Sequence, residues 1–289
     1  SGVSGHGVTS FYYPPKAQAD CNGCHMPLES SDDFAAGYFD STGDLKIHGH
    51  QFPSANTAIP KLLGLPEKVN DAHRRFLEGV MRLDIFGVKK GGQIDGELIA
   101  PLRPSIPALE PGATYLVEIV IRTVKMGHIF TQGTADSNEV WMDVEVRNGQ
   151  ERIGRSGGRG GSGEVDPWSH FVNAYVLDRE GNRIDRRNAQ DIFVALYNHQ
   201  IPPGAADVIH YSFKVPEDAS GEVTLDAKLQ YRKFDTTYMK HIFGKDRVND
   251  LPIVTLAVDS LTFPVAGKAA KIPPSAIPAW QRWNDYGIG

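Results

Sequence analysis

Cysteine is nearly absent: the 289 residues hold two, Cys21 and Cys24. A zinc site built on thiolates needs further ligands at metal spacing, and no third thiol exists to supply one. Long apolar runs are missing too. No stretch approaches the roughly 18 apolar residues of a spanning helix, so no transmembrane segment is expected. Nor does charge of one sign accumulate: a formal net charge of −5 argues against nucleic acid or an anionic membrane face as the main partner. The glycine-rich run GRSGGRGGSGE, residues 154–164, lacks the Lys-Ser/Thr ending and following helix of a phosphate-binding loop, and reads as a flexible loop. An initiator methionine and a signal peptide are both missing, and the closing AWQRWNDYGIG reads as the first turns of a helix. The chain is therefore expected to be a processed or excised piece of something longer.

What is present in place of dispersed cysteines is one tight arrangement, Cys21-Asn22-Gly23-Cys24-His25. Covalent attachment of a c-type haem needs this spacing. Each thiol adds to one vinyl group, the two intervening residues let both sulfurs reach one edge of the macrocycle, and the adjacent imidazole binds iron. A redox dithiol usually opens a helix after a buried strand, whereas the upstream FYYPPKAQAD is polar and broken by proline. Cys21 and Cys24 are read as thioether positions and His25 as the proximal ligand of haem c. Attachment of this kind takes place outside the cytoplasm, which points to a periplasmic, extracellular or cell-surface location. The shortage of other thiols fits an oxidising compartment.

An electron-transfer haem usually carries a second axial ligand, His or Met. Met26 follows the motif too closely to reach the opposite face. His48 and His50 alternate around Gly49 in KIHGHQFPSANTAIP, so an extended backbone would point both rings the same way. One would cap the local iron and the other would serve a second haem. His128 follows Gly127 in KMGHIFTQGTADSNEVW, and His6 is flanked by glycine in SGHGV. Glycine permits close backbone approach to a flat cofactor. His73 falls on the apolar face of a helix, while His170, His199, His210 and His241, in or beside strands, read as structural.

Residues 1–104 are read as a haem-binding segment of irregular and helical structure. Its turn-rich start cannot bury much of itself, and a haem would supply the apolar plate around which it orders. Within it, residues 67–86 place Val69, His73, Phe76, Val80 and Leu83 at helical spacing, with Pro66 to start the helix and Gly87 to stop it. From Tyr115 the period changes to two. TYLVEIVIRT, EVWMDVEVR, FVNAYVLD, DIFVALYN, DVIHYSFKV, EVTLDAKLQYRKF and PIVTLAVDSLTF are seven strand candidates separated by turns. Nothing alternates with helices, so the expected fold is mainly β, with an immunoglobulin-like antiparallel β-sandwich over residues 105–266. Residues 267–289 are proline-rich and read as a linker entering a helix.

Several stretches together resemble bacterial multihaem c-type cytochromes of the cytochrome c554 type, some of which are fused to tetratricopeptide repeats. They are FYYPPKAQADCNGCHMP, HGHQFPSANTAIP, GHIFTQGTADSNEVW, DRRNAQDIFVALYNHQIPPGAA and WQRWNDYGIG. The resemblance implies a bis-histidine haem, with His50, His48 beside it, and His128 as distal candidates. Two departures stand out: Thr131 replaces the usual proline after GHIF, and a single haem motif occurs where the family carries several. Missing haems would lie upstream and repeats downstream, and spare histidines would serve haems of another segment or subunit.

The expected function is electron transfer between haems, with other cytochromes or redox proteins as partners and self-assembly or a filament as the setting. Two alternatives stand beside it. An enzyme would need an open iron site with a distal acid or base, a role for which His73, Arg74 and Arg75 are the candidates. A binding or assembly module with a structural haem would use Trp141, Trp168, Tyr175 and Tyr231 as platforms.

Overall fold

The computed structural model describes residues 21–130 and 135–289. The single-turn helix α1 (Asn22–His25) leads into a hairpin of β1 (Leu28–Ser30) and β2 (Lys46–His48), followed by α2 (Ile59–Leu62) and α3 (Glu67–Phe76). Next come β3 (Met81–Lys90), β4 (Leu98–Ile99), β5 (Ser105–Ile106), β6 (Thr114–Thr123), β7 (Glu139–Asn148) and β8 (Glu151–Ser156). A hairpin of β9 (Ala174–Leu177) and β10 (Val194–Asn198) precedes β11 (Ala206–Lys214) and β12 (Glu222–Arg232). The chain closes through α4 (Thr236–Phe243), β13 (Ile253–Pro264), β14 (Ala270–Lys271) and α5 (Ala279–Ile288).

Two four-stranded antiparallel sheets, ordered β11-β6-β3-β4 and β13-β12-β7-β8, face each other. Alternation explains the packing. On β12, Val223, Leu225, Ala227, Leu229 and Tyr231 are all essentially inaccessible, because every second side chain of a strand points to one face. They meet Val117, Ile119 and Ile121 of β6 and Leu83, Ile85 and Val88 of β3 in one continuous core. Fully burying a side chain of this size contributes about 1.5–3 kcal/mol. The order β13-β12-β7-β8 against β11-β6-β3 is the arrangement of an immunoglobulin-like sandwich, and the fully buried Trp141 sits on β7, at the place of the buried tryptophan of such folds.

All seven strand candidates from Tyr115 onward are strands. Other expectations differ from the structure. The helix expected over residues 67–86 ends at Phe76, and its second half is β3. Gly79, at φ +69°, makes the turn. Beyond it Met81, Leu83 and Ile85 alternate with Arg82 and Asp84, a strand period that the helical spacing of Val80 and Leu83 concealed. β3 and β4, before residue 104, pair into the first sheet. The glycine-rich run is also partly ordered: Gly154 to Ser156 lie in β8, and Gly163 donates to Gly160 O at 3.0 Å.

Residues 267–289 hold a short strand and the expected helix. β14 pairs with β5, and α5 packs on the outer face of the first sheet. Arg282 is almost fully buried and donates twice to Asp84, at 2.7 and 2.8 Å. Asp285 pairs with Arg122 at 3.0 Å and also with Arg82. Phe86 lies 4.6 Å from Tyr286, ring centre to ring centre. Because the covered face is polar, its pattern imitates a solvent-facing strand, and β6 is in fact buried on both sides. Glu118 shows the effect. Burial opposes its charge, but the Lys89 ammonium 2.7 Å away, the Tyr286 hydroxyl and His210 outweigh burial and hold the carboxyl below its usual range.

Removing one partner of a buried pair strands the other charge. Arg282→Ala is expected to lower the unfolding free energy by roughly 3 kcal/mol, read as a shift in urea midpoint; an unchanged midpoint would show that α5 adds nothing to stability.

Candidate functional site

The residues before the sandwich are held to it at several points. Ala58 and Thr57 are fully buried, the former packed with Phe234, Met239 and Leu251. The Tyr231 hydroxyl donates to the Ala55 carbonyl, and Lys61 donates to Asp250 O at 2.6 Å. The loop at residues 52–58 is therefore plugged into the sandwich, and it is this loop that receives His25.

Cys21 and Cys24 are both exposed and neither is in a disulfide. Cysteine is among the most buried residue types, so two exposed thiols on one helical turn are poised for a partner outside the chain. His25 Nδ1 lies 2.8 Å from Pro53 O. A carbonyl can only accept, so Nδ1 carries the proton and Nε2 keeps its lone pair, the tautomer that metal-ligating histidines adopt. Phe76, from the last turn of α3, stands 5.1 Å from the His25 ring.

The second ring beside His25 is His128. The two imidazoles are stacked, parallel to within 7° with centres 6.3 Å apart. His128 Nδ1 lies 3.0 Å from Ile129 O, which leaves its Nε2 unprotonated as well. Two exposed thiols, two imidazoles at this interval and an adjacent aromatic ring fit a c-type haem.

His48 and His50 make other contacts. His48 ends β2, with Nδ1 2.7 Å from Met26 O and its ring edge-on to Phe39 at 5.1 Å. His50 is exposed, 6.2 Å from Phe52. The chain leaves the strand at Gly49, so the two rings do not share one extended segment. His6 and Thr131 lie outside the described residues. Arg74 pairs with Asp71 and with Glu67 on the solvent side of α3. Of the strand histidines, His170 pairs with Asp207 at 3.2 Å and stacks on His199, and His210 meets Glu118 at 3.3 Å. His241 lies on α4, exposed. Sequence reasoning missed the Pro53 carbonyl, a backbone group with no side-chain signature.

No family model matches this chain, and no curated protein does. Among solved structures it is similar to a penta-haem cytochrome c552 from Thermochromatium tepidum, with TM-score 0.49 and 13% identity over 85% of this chain and 48% of that one. It is also similar to the C-terminal domain of wzt, with TM-score 0.23 and 11% identity over 70% of this chain and 85% of that one. The chain thus spans about half the length of the cytochrome. Both likenesses are faint, and what the site can hold follows from the residues around His25 themselves.

His73 stands one turn of α3 before Phe76 and is buried, with its Nδ1 3.1 Å from the Ser54 carbonyl. Burial lowers its pKa below the ordinary 6.5, and the Ser54 carbonyl, accepting from the ring, offsets this only in part. The neutral ring is the folded form. As pH falls through the ordinary value the unfolded chain takes up a proton that folded His73 resists, so stability declines from about pH 6.5 downward. His73→Gln is expected to flatten that decline in urea titrations at neutral and mildly acidic pH; an equal loss in both forms would assign the acid sensitivity to other groups.

Proposed function

We propose that this chain is a segment of an electron-transferring c-type cytochrome that holds one haem c. Cys21 and Cys24 would hold it through thioether bonds, and His25 and His128 would bind its iron. The observation that carries this reading is the pair of parallel imidazoles 6.3 Å apart, each with Nδ1 against a backbone carbonyl. Haem iron, once bound, supplies a one-electron couple.

The remaining work falls to the chain. Pro53 O and Ile129 O fix the tautomer of each imidazole and raise the basicity of its free nitrogen. Phe76 excludes water beside His25. With both His25 and His128 bound, the iron would have no open position for a substrate, which favours relay over catalysis. Arg74, on the solvent side of α3 with its own carboxylates, is not placed as a distal catalyst. His48 has the same carbonyl lock on Nδ1. It and His50 are available to haems carried by other segments, other cytochromes or further copies of this chain, in the periplasm or at the cell surface.

Visible spectra of the purified chain, oxidised, reduced, and reduced under carbon monoxide, test the assignment alongside a pyridine haemochrome count. One low-spin haem c per chain, unmoved by carbon monoxide, is expected; no haem would refute the proposal. In His128→Ala the haem should stay attached but turn high-spin and bind carbon monoxide. His128→Met should remain low-spin with a potential raised by on the order of 100 mV. If instead only His48→Ala or His50→Ala opens the iron, the distal assignment to His128 fails.

A further inference from the structure

A second site lies in the sandwich, in a cavity of about 290 Å³ between the β9–β10 hairpin, the start of β7 and the N-terminus of α4. Tyr175 and Tyr197 wall one side, ring centres 5.3 Å apart and 30° inclined. Asp235 and Glu139, both almost fully buried, wall another. Arg183 bridges the two sides: its guanidinium donates to Asp235 at 3.1 Å and lies 4.5 Å over the Tyr175 ring.

The charges in this wall cancel. Glu139 pairs with Arg232, Asp235 with Arg183, and Glu164 with Lys240. Each of the three lining carboxylates is thus paired, one with Arg183 in the lining and two with cations behind it, so none is left to select a charged ligand by Coulomb attraction. What it offers is a mixture of donors and acceptors beside aromatic rings. A cavity with a few convergent polar groups is the ordinary form of a small-molecule site. Hydroxyl groups, each both donor and acceptor, match such a lining, and so does an apolar ring face against tyrosine.

An independent feature extends the site. Pro167 lines the cavity, and the next residue, Trp168, is 90% exposed. Its backbone N–H is fixed by Asp166 Oδ1 at 3.0 Å. A large flat apolar side chain anchored at the rim and left almost wholly in water suits a ligand that continues beyond the cavity.

We propose that this cavity binds a neutral carbohydrate chain, one sugar unit within it against Tyr175 and Tyr197 and the adjoining unit over Trp168. The proposal is independent of the haem assignment. It gives the sandwich a function of its own, holding the redox centre against a polysaccharide.

The test is electrophoresis of the haem-loaded chain through native gels containing hydroxyethyl cellulose, galactomannan or dextran, with calorimetry on oligosaccharides of whichever polymer retards it. Retardation by at least one is expected. Trp168→Ala, at a side chain too exposed to matter for folding, should weaken binding about ten-fold with the haem spectrum unchanged, and Tyr197→Ala should weaken it further. Retardation by none of the three polymers overturns the proposal. So does equal binding by both variants, or retention by polylysine alone, which would mark the cavity as a site for a cationic chain. A chain that binds glycan yet carries no haem would refute the haem assignment and leave this one standing.

Discussion

The 2.8 Å hydrogen bond between His25 Nδ1 and the Pro53 carbonyl is the constraint on which the candidate haem site depends. α1 is a single turn with no buried residue, too short to hold its own shape in water. Its position is set by that contact and by the ring of Phe76. Pro53 is in turn fixed because the residues after it are anchored, Ala55 through Tyr231 and Ala58 through the small cluster on α4. Imidazole orientation, loop and sandwich therefore form one mechanical chain. His128 reaches the same place from the other direction, just beyond the end of β6. Both imidazoles are delivered by segments whose far ends are rooted in the same β-sandwich.

This rooting is tighter than a division into a haem segment and a separate sandwich would allow. α3 and β3 are joined by a turn at Gly79, and β3 is the inner neighbour of β6. A tilt of α3, and with it Phe76, would have to drag the central strand of a sheet. Close-packed interiors resist such shear. The C-terminal helix adds a brace on the outer face of the same strand through Asp84 and Arg282.

How much of this was legible in the sequence divides along physical lines. Period-two patterning located every strand from β6 onward except β8 and the two-residue β14; β6, β7, β11, β12 and β13 bury apolar side chains in the core, while β9 and β10 alternate without burying a face. β3 was lost because its first residues satisfy both a helical and a strand period, and only the tertiary position of Gly79 decides between them. α5 was read as the start of a helix after a linker. The surface it covers carries Arg82, Asp84, Glu118 and Arg122, which in isolation look solvated. The haem motif was readable because its chemistry is local: two thiols and an imidazole within five residues. The choice among the distal candidates was not. His48, His50 and His128 all sit near glycine or proline in polar turns, and choosing among them requires knowing which loop the sandwich carries back to His25.

The near-coincidence of the two imidazole planes, 7° apart, would reach beyond ligation if both rings bound the iron of the proposed haem. Each ring would donate π density perpendicular to its own plane. With both planes aligned, the two contributions would fall on the same iron d orbital and lift it away from its partner, where crossed planes would leave the pair nearly degenerate. The angle set by α1 and by the loop after β6 would then also be a choice of electronic ground state, giving the unpaired electron of the oxidised iron one fixed direction along which to couple to a neighbour.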